Sequence, residues 1–271
     1  MENSFVGQNN KGIDNMNLQF SAIATQNYHS PSQIARIKTE AWVADNLYCP
    51  RCGHPQLNHF NNNRPVADFY CPNCQNEFEL KSKSKPLSKK MTGSAYSVMI
   101  DRITSNKNPD FLFMNYSKDK QCVIDLILIP KNFFIPDIVE KRKPLSPTAR
   151  RAGWVGCNIL ISKIPKQGII EIVKNGKVCD INDVINKVNN SKLLAIPNLS
   201  ARSWLLDVLN CINMMPQNDF SLQQLYQFTN DLAKKHPKNN NIQAKIRQQL
   251  QLLRNLGFVD FLGKGQYKRL K

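Results

Sequence analysis

The stretch CPRCGHPQLNHFNNNRPVADFYCPNCQNEFELKSK, residues 49–83, determines how the rest of this chain is interpreted. It contains two Cys-x-x-Cys knuckles, formed by Cys49, Cys52, Cys71 and Cys74. Interleaved with them is an acidic-basic set, with Asp68 before the second knuckle and Glu79-Leu80-Lys81 after it. One short segment therefore supplies both a candidate metal clip and a candidate catalytic centre.

The four knuckle cysteines have the spacing of a zinc site. Two thiolates on one tight turn approach the same ion, and two such turns supply the four soft ligands that tetrahedral zinc prefers. Proline follows the first cysteine of each pair and Gly53 follows Cys52, which favours tight turns. Because four protein ligands close the site, we expect zinc in a structural role. Two disulfides or unrelated thiols are the alternatives, and His54 and His59 are further candidate ligands.

Asp68, Glu79 and Lys81 follow the pattern Asp-x10-Glu-x-Lys. Residues two apart on a strand face the same way, so Glu79 and Lys81 should project together and meet Asp68 on the neighbouring strand. Carboxylates in this arrangement suit a magnesium ion that contacts a substrate phosphate, and we assign that ion to Asp68, Glu79 and Leu80. The lysine would orient or activate the attacking water. A solvated charged strand is the alternative, since the spacing alone is common.

The composition indicates which partners to expect. The chain has 271 residues, with 37 Lys and Arg against 20 Asp and Glu, for a formal net charge of +17. Such a basic surface attracts polyanions, most commonly nucleic acid, with a membrane surface as the weaker alternative. We find no run of 18 apolar residues and no secretion signal. A reducing, cytoplasmic setting is therefore expected for the eight cysteines, where metal binding is commoner than disulfide formation.

The order of predicted elements indicates a mixed α/β domain followed by a helical one. Helices are predicted over residues 30–46 and 94–104. Strands are predicted over residues 69–71, 78–81, 110–117, 123–130, 155–164 and 169–174. Beyond Pro197-Asn198, helices over 202–212, 221–228 and 242–256 precede two short strands, which is the winged-helix arrangement.

We accordingly predict three parts. Residues 1–29 form an N-terminal extension, partly disordered because it is polar and Asn-rich. Residues 30–197 form the α/β domain with the zinc site, whose predicted topology resembles the PD-(D/E)xK nuclease core, with Pro65 three residues before Asp68. Residues 198–271 form the winged-helix domain. Glu40, on the first predicted helix, is a candidate contact of a metal-bound water, with an exposed carboxylate as the favoured alternative.

Four segments closely resemble the Dam-replacing family of DpnI-type methyl-directed restriction endonucleases. They are NHFNNNRPVADFYCPNC, EFELKSK, RKPLSPTARRAGWVGCNI and KIRQQLQLLR. The resemblance runs from about Met16 to Lys271. It implies a PD-(D/E)xK domain with a zinc site, a winged-helix domain, and cleavage of GATC sites that carry N6-methyladenine. It also implies that Asp68, Glu79 and Lys81 are catalytic, that the four knuckle cysteines hold zinc, and that Trp154 packs against the methyl groups.

DNA contacts are expected from two further segments. The basic loop provides candidate phosphate ligands, and for the first three of them a solvated run is the alternative; they are Lys141, Arg142, Lys143, Arg150 and Arg151. An aromatic face among these cations would favour a methyl group, and a core position is the alternative for Trp154. The last helix offers polar side chains to base edges, namely Gln243, Lys245, Arg247 and Gln248. A protein-binding winged helix is the alternative there.

We therefore expect a Mg2+-dependent type II endonuclease that acts on double-stranded DNA at methylated GATC, in the cytoplasm of a prokaryotic cell. No protein partner is implied. The competing class is a non-enzymatic DNA-binding regulator with a zinc module and a winged helix. Asp68 with Glu79-x-Lys81 separates the two classes, because a regulator has no use for that set of residues.

Overall fold

The structure is a computed structural model, and it describes residues 16–22, 28, 30–60, 67–105 and 107–271. The prediction for residues 1–15 and the one for Pro65 therefore lie outside the described residues. The described helices are α1 Pro31–Asn46, α2 Tyr96–Ile103, α3 Ile181–Lys192, α4 Leu199–Asn213, α5 Leu222–Tyr226, α6 Thr229–Lys235 and α7 Ile242–Asn255. The strands are β1 Asn58–His59, β2 Phe69–Tyr70, β3 Glu77–Lys83, β4 Met91–Ala95, β5 Asp110–Ser117, β6 Cys122–Ile129, β7 Val139–Lys141, β8 Gly156–Ile159, β9 Ile170–Lys174, β10 Lys177–Val178, β11 Asp219–Ser221, β12 Val259–Gly263 and β13 Gln266–Arg269.

The chain divides into two compact units, each made of several segments. The first comprises Met1–Leu87, Pro109–Ile129 and Ile170–Val188. The second comprises Ser88–Asn108, Pro130–Ile169 and Asn189–Lys271. The three parts predicted from the sequence are each continuous in the chain, whereas each of these two units is made of three separate segments. The three-part division stays a prediction. None of the helices in the described residues is long and apolar enough to cross a membrane.

A seven-stranded sheet organises the first unit, in the order β1-β2-β3-β5-β6-β9-β10. Only the β3–β5 pair is parallel; the other neighbours are antiparallel. β5, the fourth of the seven strands, is buried from Asp110 to Tyr116. Trp42 and Val43 of α1 belong to the buried core that also contains Phe78 of β3. This packing places α1 beside the strand that carries Glu79 and Lys81.

Part of the predicted N-terminal extension belongs to the first unit. Met16 is buried in its core. The carbonyl of Leu18 accepts a hydrogen bond of 2.8 Å from the amide of Val123, and the amide of Phe20 donates one of 2.8 Å to the carbonyl of Gln121. The indole Nε1 of Trp42 donates to the carbonyl of Asn17. Residues 16–20 are therefore ordered against β6 and α1.

The second unit contains a three-stranded sheet in the order β4-β8-β7, which corrects one prediction. The strand predicted over residues 155–164 extends only over Gly156–Ile159. A 3-10 turn follows at Ile161–Lys163, because Ile161 and Ile164 both turn into the core while Ser162 and Lys163 stay exposed. The sequence patterns do not predict α3, β4 or β7.

The C-terminal part of the second unit contains α4, β11, α5, α6 and α7, then the hairpin β12–β13, which is a winged-helix arrangement. Its sheet has the order β11-β13-β12. The helix predicted over residues 221–228 is instead the short α5, followed by α6. Ser221 caps α5 in a capping box with Gln224. α7 buries Ile242, Ile246, Leu250 and Leu253 and leaves its opposite face exposed.

Candidate active site and metal site

The four knuckle cysteines converge on one point in the first unit. The Sγ atoms of Cys49 and Cys74 are 3.6 Å apart, as are those of Cys52 and Cys71. All four Sγ atoms lie within 4.8 Å of one another. A tetrahedral zinc ion with Zn–S bonds of about 2.3 Å needs sulfur atoms about 3.8 Å apart. The cluster therefore fits a structural metal ion such as zinc.

The two knuckles have matching backbone hydrogen bonds. In the first, the amide of Cys49 donates to the carbonyl of His54 (2.7 Å); in the second, the amide of Cys71 donates to the carbonyl of Asn76 (3.0 Å). The left-handed turn residues are Gly53, with φ 75°, and Gln75, with φ 57°. Glycine adopts this conformation without steric cost, so the sequence accounts for the first turn more directly than for the second.

The predicted additional ligands lie outside the cluster. The ring of His54 bonds through Nδ1 to the carbonyl of Gln56, at 2.9 Å. His59 contacts Glu40, and its ring packs at a right angle to the ring of Phe69. Of the four remaining cysteines, Cys122, Cys157 and Cys211 are buried, whereas Cys179 is only half-buried.

The environment of Cys52 favours its thiolate. Partial burial acts to raise the pKa of Cys52, but hydrogen bonds from the His54 backbone and the Asn73 side chain outweigh it and lower the pKa to about 7. The Asn73 amide nitrogen lies 3.5 Å from the Cys52 sulfur. The thiolate is the form that binds a metal, so these donors favour metal uptake at neutral pH.

Sequence reasoning missed a polar clamp that holds the first knuckle to the sheet. Arg51, inside Cys49-x-x-Cys52, donates from Nε and Nη2 to the carboxylate of Asp110, at 2.5 and 2.8 Å. The side-chain amide of Asn76, directly after the second knuckle, donates to the same carboxylate at 2.9 Å. Asp110 itself was the one sequence feature that indicated these contacts, because an acid at the start of a buried strand needs a hydrogen-bonding or charged partner.

Asp68 lies just before β2, with its side chain turned to the middle of β3. Its Oδ2 accepts a hydrogen bond of 2.7 Å from the amide of Leu80. Burial raises the pKa of Asp68 above its ordinary value, against the hydrogen bond from Leu80 and the charge of Lys81, which lower it. The structure thus brings Asp68 to the residue between Glu79 and Lys81. Spacing alone predicted proximity but not this hydrogen bond.

Glu79 and Lys81 form an ion pair on one side of β3. Their side chains are 15% and 24% exposed, so both reach solvent while the flanking Phe78 and Leu80 are buried. The Leu80 side chain is apolar, and the backbone amide of Leu80 donates its hydrogen bond to Asp68. A contribution of Leu80 to a metal site is therefore restricted to its backbone carbonyl.

Glu40 of α1 differs from the favoured expectation of an exposed carboxylate. Its side chain is 14% exposed, with Oε1 2.6 Å from Nε of Arg36 and Oε2 3.2 Å from Nε2 of His59. The hydrogen bond to Glu40 raises the pKa of the Arg36 guanidinium, against partial burial. The charge of Glu40 in turn contributes to the raised pKa of Asp68. Glu40 is thus near enough to Asp68 for its charge to affect that carboxylate.

Trp154 lies in the second unit, half-buried against the backbone. A Cβ atom at Gly156 would lie 2.7 Å from its ring, so only glycine permits this close approach. The guanidinium of Arg151 lies 4.9 Å from the ring centroid on a cation–π contact. The basic loop residues around it are exposed; they are Lys141, Arg142, Lys143, Arg150 and Arg151. Trp154 therefore belongs to an open basic surface with a fixed ring orientation.

The polar residues predicted on the last helix occupy the accessible face of α7. Gln243, Arg247 and Gln248 are exposed, and Lys245 is half-buried. Nη1 of Arg247 donates to the hydroxyl of Tyr226 at 2.6 Å, and Nζ of Lys245 donates to Oε1 of Gln248 at 2.8 Å. Lys245, Arg247 and Gln248 are therefore held by side-chain hydrogen bonds on the accessible face of α7.

Two family models match the chain. One, described as the Dam-replacing family, matches residues 16–196. The other, described as the Dam-replacing HTH domain, matches residues 200–269. The first match contains the four-cysteine cluster, Asp68, Glu79 and Lys81, and the second coincides with the helices and hairpin of the winged helix.

Proposed function

The chain belongs to the Dam-replacing family, and from this premise we propose that it cleaves double-stranded DNA at GATC sites containing N6-methyladenine. Membership implies a methyl-directed restriction nuclease, and the HTH domain indicates DNA binding. The finer proposal is a type II endonuclease of PD-(D/E)xK architecture that hydrolyses phosphodiesters with Mg2+, while zinc occupies the four-cysteine site.

One observation carries the proposal: the Asp68 carboxylate is anchored on the Leu80 amide, between Glu79 and Lys81. Two partly accessible carboxylates beside a lysine suit a hard cation. The net charge of +17 indicates that the substrate held against this cation is a polyanion. A solvated charged strand would leave its acids exposed and unconnected. The raised pKa of Asp68 is typical of a functional carboxylate, since burial of a charge is costly without a compensating role.

The donor set fits magnesium. Asp68 retains Oδ1 after Oδ2 accepts from Leu80, and Glu79, the residue before Leu80 on β3, supplies a second carboxylate. When bound, the ion would polarise the scissile phosphate and neutralise developing negative charge. We assign Lys81 to orienting the attacking water, and its ion pair with Glu79 keeps the ammonium at the site. Glu40, close to Asp68, is suited to accept a hydrogen bond from a water there.

For methyl recognition we assign Trp154, whose ring presents an apolar surface among exposed cations. An N6-methyl group in the major groove replaces one amino hydrogen by apolar surface, and apolar contact with such a ring favours binding of that surface. The surrounding arginines and lysines are assigned to phosphate contacts, and the exposed face of α7 to base edges.

Digestion of matched methylated and unmethylated plasmids tests the proposal. With magnesium, we expect only the methylated plasmid to be cut, and the fragment lengths should place the cuts at GATC sites. Without magnesium, we expect no cutting. Glu79→Gln should bind methylated duplex but not cut it. Binding of methylated DNA by the wild-type protein without any cutting, under all divalent ions tried, would favour the non-enzymatic regulator.

A further inference from the structure

A cavity of about 420 Å3 opens on the winged helix, within the second unit. Three parts of the domain line it: the first turns of α4, the end of α6 with the loop that follows, and the first turn of α7. The lining residues that matter here are Ser200, Trp204, Lys235, His236, Lys238 and Lys245. Of these, only Lys245 was among the predicted DNA-binding residues.

The floor of the cavity is rigid. The indole of Trp204 stacks on the ring of His236, with centroids 3.8 Å apart and planes 16° from parallel. Nε2 of His236 lies 2.9 Å from the carboxylate of Asp207, whose side chain is 4% exposed and which also pairs with Lys235. Because a carboxylate only accepts hydrogen bonds, Nε2 carries the proton and the ring orientation is fixed.

The charge of the cavity is positive. The carboxylate of Asp207, beside the floor, is already paired with Lys235 and His236. Lys238 is exposed at the rim, and the ammonium of Lys245 lies 6.0 Å from the Trp204 ring centroid, over the floor. Ser200 adds a hydroxyl donor in the first turn of α4, where the helix carries partial positive charge. This set of donors takes an anion.

The neighbourhood identifies the anion. Lys245 lies on α7, whose exposed face also carries Gln243, Arg247 and Gln248, and the domain matches a DNA-binding HTH family. An ammonium on the same helix as candidate base-reading side chains is placed to hold the backbone next to the groove that the helix enters. We propose that this cavity seats one backbone phosphate of the bound duplex, held by Lys238 and Lys245, and thereby sets the register of α7 on DNA.

The proposal rests on DNA binding by the HTH domain, not on cleavage, so it is tested without magnesium. The full-length protein is titrated with methylated duplexes that each carry one neutral methylphosphonate at a different phosphate. We expect the methylphosphonate at one phosphate position of each bound site to weaken wild-type binding more than it does at the other positions. In the Lys238→Ala/Lys245→Ala double variant, the same substitution should have no further effect. The slope of log K against log salt should be smaller in the double variant by about 0.9, which is the contribution of one neutralised phosphate.

Lys234→Ala is the matched control. It removes one positive charge, as each of the two cavity substitutions does, from the residue next to Lys235; the Lys234 side chain is 81% exposed and pairs with Asp231. Lys238→Gln alone, which leaves Asp207 and its partners untouched, guards against a folding defect. The proposed phosphate site is wrong if every methylphosphonate weakens DNA binding equally in the wild type and the double variant. It is also wrong if Lys234→Ala changes DNA binding as the double variant does. Loss of cutting in magnesium with this coupling intact would instead count against the endonuclease alone.

Discussion

The guanidinium of Arg51 and the carboxylate of Asp110 form a doubly hydrogen-bonded, buried ion pair between a metal knuckle and the central strand of the sheet. Asp110 is fully buried and pairs in register with Phe78, one residue before Glu79. The metal site is therefore connected to the candidate catalytic strand by polar contacts as well as by the chain. Stability and site geometry should respond together when this pair is broken.

Arg51→Ala should lower the free energy of unfolding by about 3–5 kcal/mol, because it leaves the Asp110 carboxylate buried without its cation. Chemical denaturation of the metal-loaded protein measures this. Lys174→Ala is the control, since it breaks an exposed pair with Glu171 in the same unit and should change stability little. Equal effects of the two substitutions would show that the clamp does not stabilise the fold.

Cys71→Ser should lose the bound metal and lower both thermal stability and activity. Cys71 lies between Tyr70 of β2 and the turn that leads to β3, so loss of the metal loosens the strands that carry Asp68 and Glu79. Elemental analysis and a thermal melt measure the two effects. Cys179→Ser, at a half-buried cysteine outside the cluster, should retain the metal. Wild-type protein purified without zinc would remove the basis for this expectation.

Asp68→Ala and Glu79→Gln should each reduce cleavage by at least about a thousandfold, since loss of a metal ligand costs several kcal/mol at about 1.4 kcal/mol per factor of ten. Affinity for methylated duplex should remain, because many dispersed cations supply it. Cleavage under single-turnover conditions and a binding titration measure the two quantities. Glu171→Gln removes an exposed acid of the same unit and serves as the control. Cutting at the wild-type rate by either site variant would refute the catalytic assignment.

Asp68→Asn should stabilise the fold at neutral pH in the absence of magnesium. Burial raises the pKa of Asp68 in the folded protein, so the folded state binds the proton more tightly than the unfolded state. The Asp68 contribution to stability is therefore fully present at low pH and is lost as pH rises above the ordinary aspartate range. Asparagine keeps the acceptor for the Leu80 amide without the charge.

Unfolding free energies of wild type and Asp68→Asn, measured from about pH 4 to 8, give the difference between them. That difference should grow in favour of the variant as pH rises. Acid loss of the cysteine-bound metal affects both proteins and cancels in the comparison. A variant that is less stable than wild type at pH 7 would mean that the carboxylate has a net stabilising role.

Local sequence patterns predict those features that depend on neighbouring residues. β5 and β6 are predicted over residues 110–117 and 123–130 because both segments are apolar, the second almost continuously, and α7 is predicted from apolar residues at helical spacing. The four-cysteine cluster follows from the knuckle spacing. Each of these signals lies within a short window, where periodicity or ligand chemistry leaves few alternatives.

Features that depend on distant pairing are not predictable in this way. β4 buries only Met91 and is a strand because Met91 pairs with Ile159, far along the chain. The Arg51–Asp110 pair spans 59 positions. The hydrogen bond from Leu80 to Asp68 depends on the register between β2 and β3, which spacing does not specify. Tertiary contacts decide these features, so single-residue patterns do not contain them.

Trp154→Ala should reduce discrimination between methylated and unmethylated DNA more than it reduces general affinity. Phosphate contacts from Arg150, Arg151 and the loop lysines carry no sequence information and survive the substitution. A buried methyl carbon contributes about 0.8 kcal/mol, or roughly fourfold in binding, and two methyls in one palindromic site roughly double that energy.

The measurement is the ratio of cleavage rates on a single-site duplex in its two methylation states. We expect that ratio to fall by about fourfold or more in Trp154→Ala, and to be partly retained in Trp154→Phe, which keeps an aromatic face. Gly156→Ala tests the ring position independently, because its Cβ would lie 2.7 Å from the ring and displace it. It should lower the ratio with the tryptophan still present. An unchanged ratio in both Trp154→Ala and Gly156→Ala would assign methyl recognition to α7, around Gln243 to Gln248.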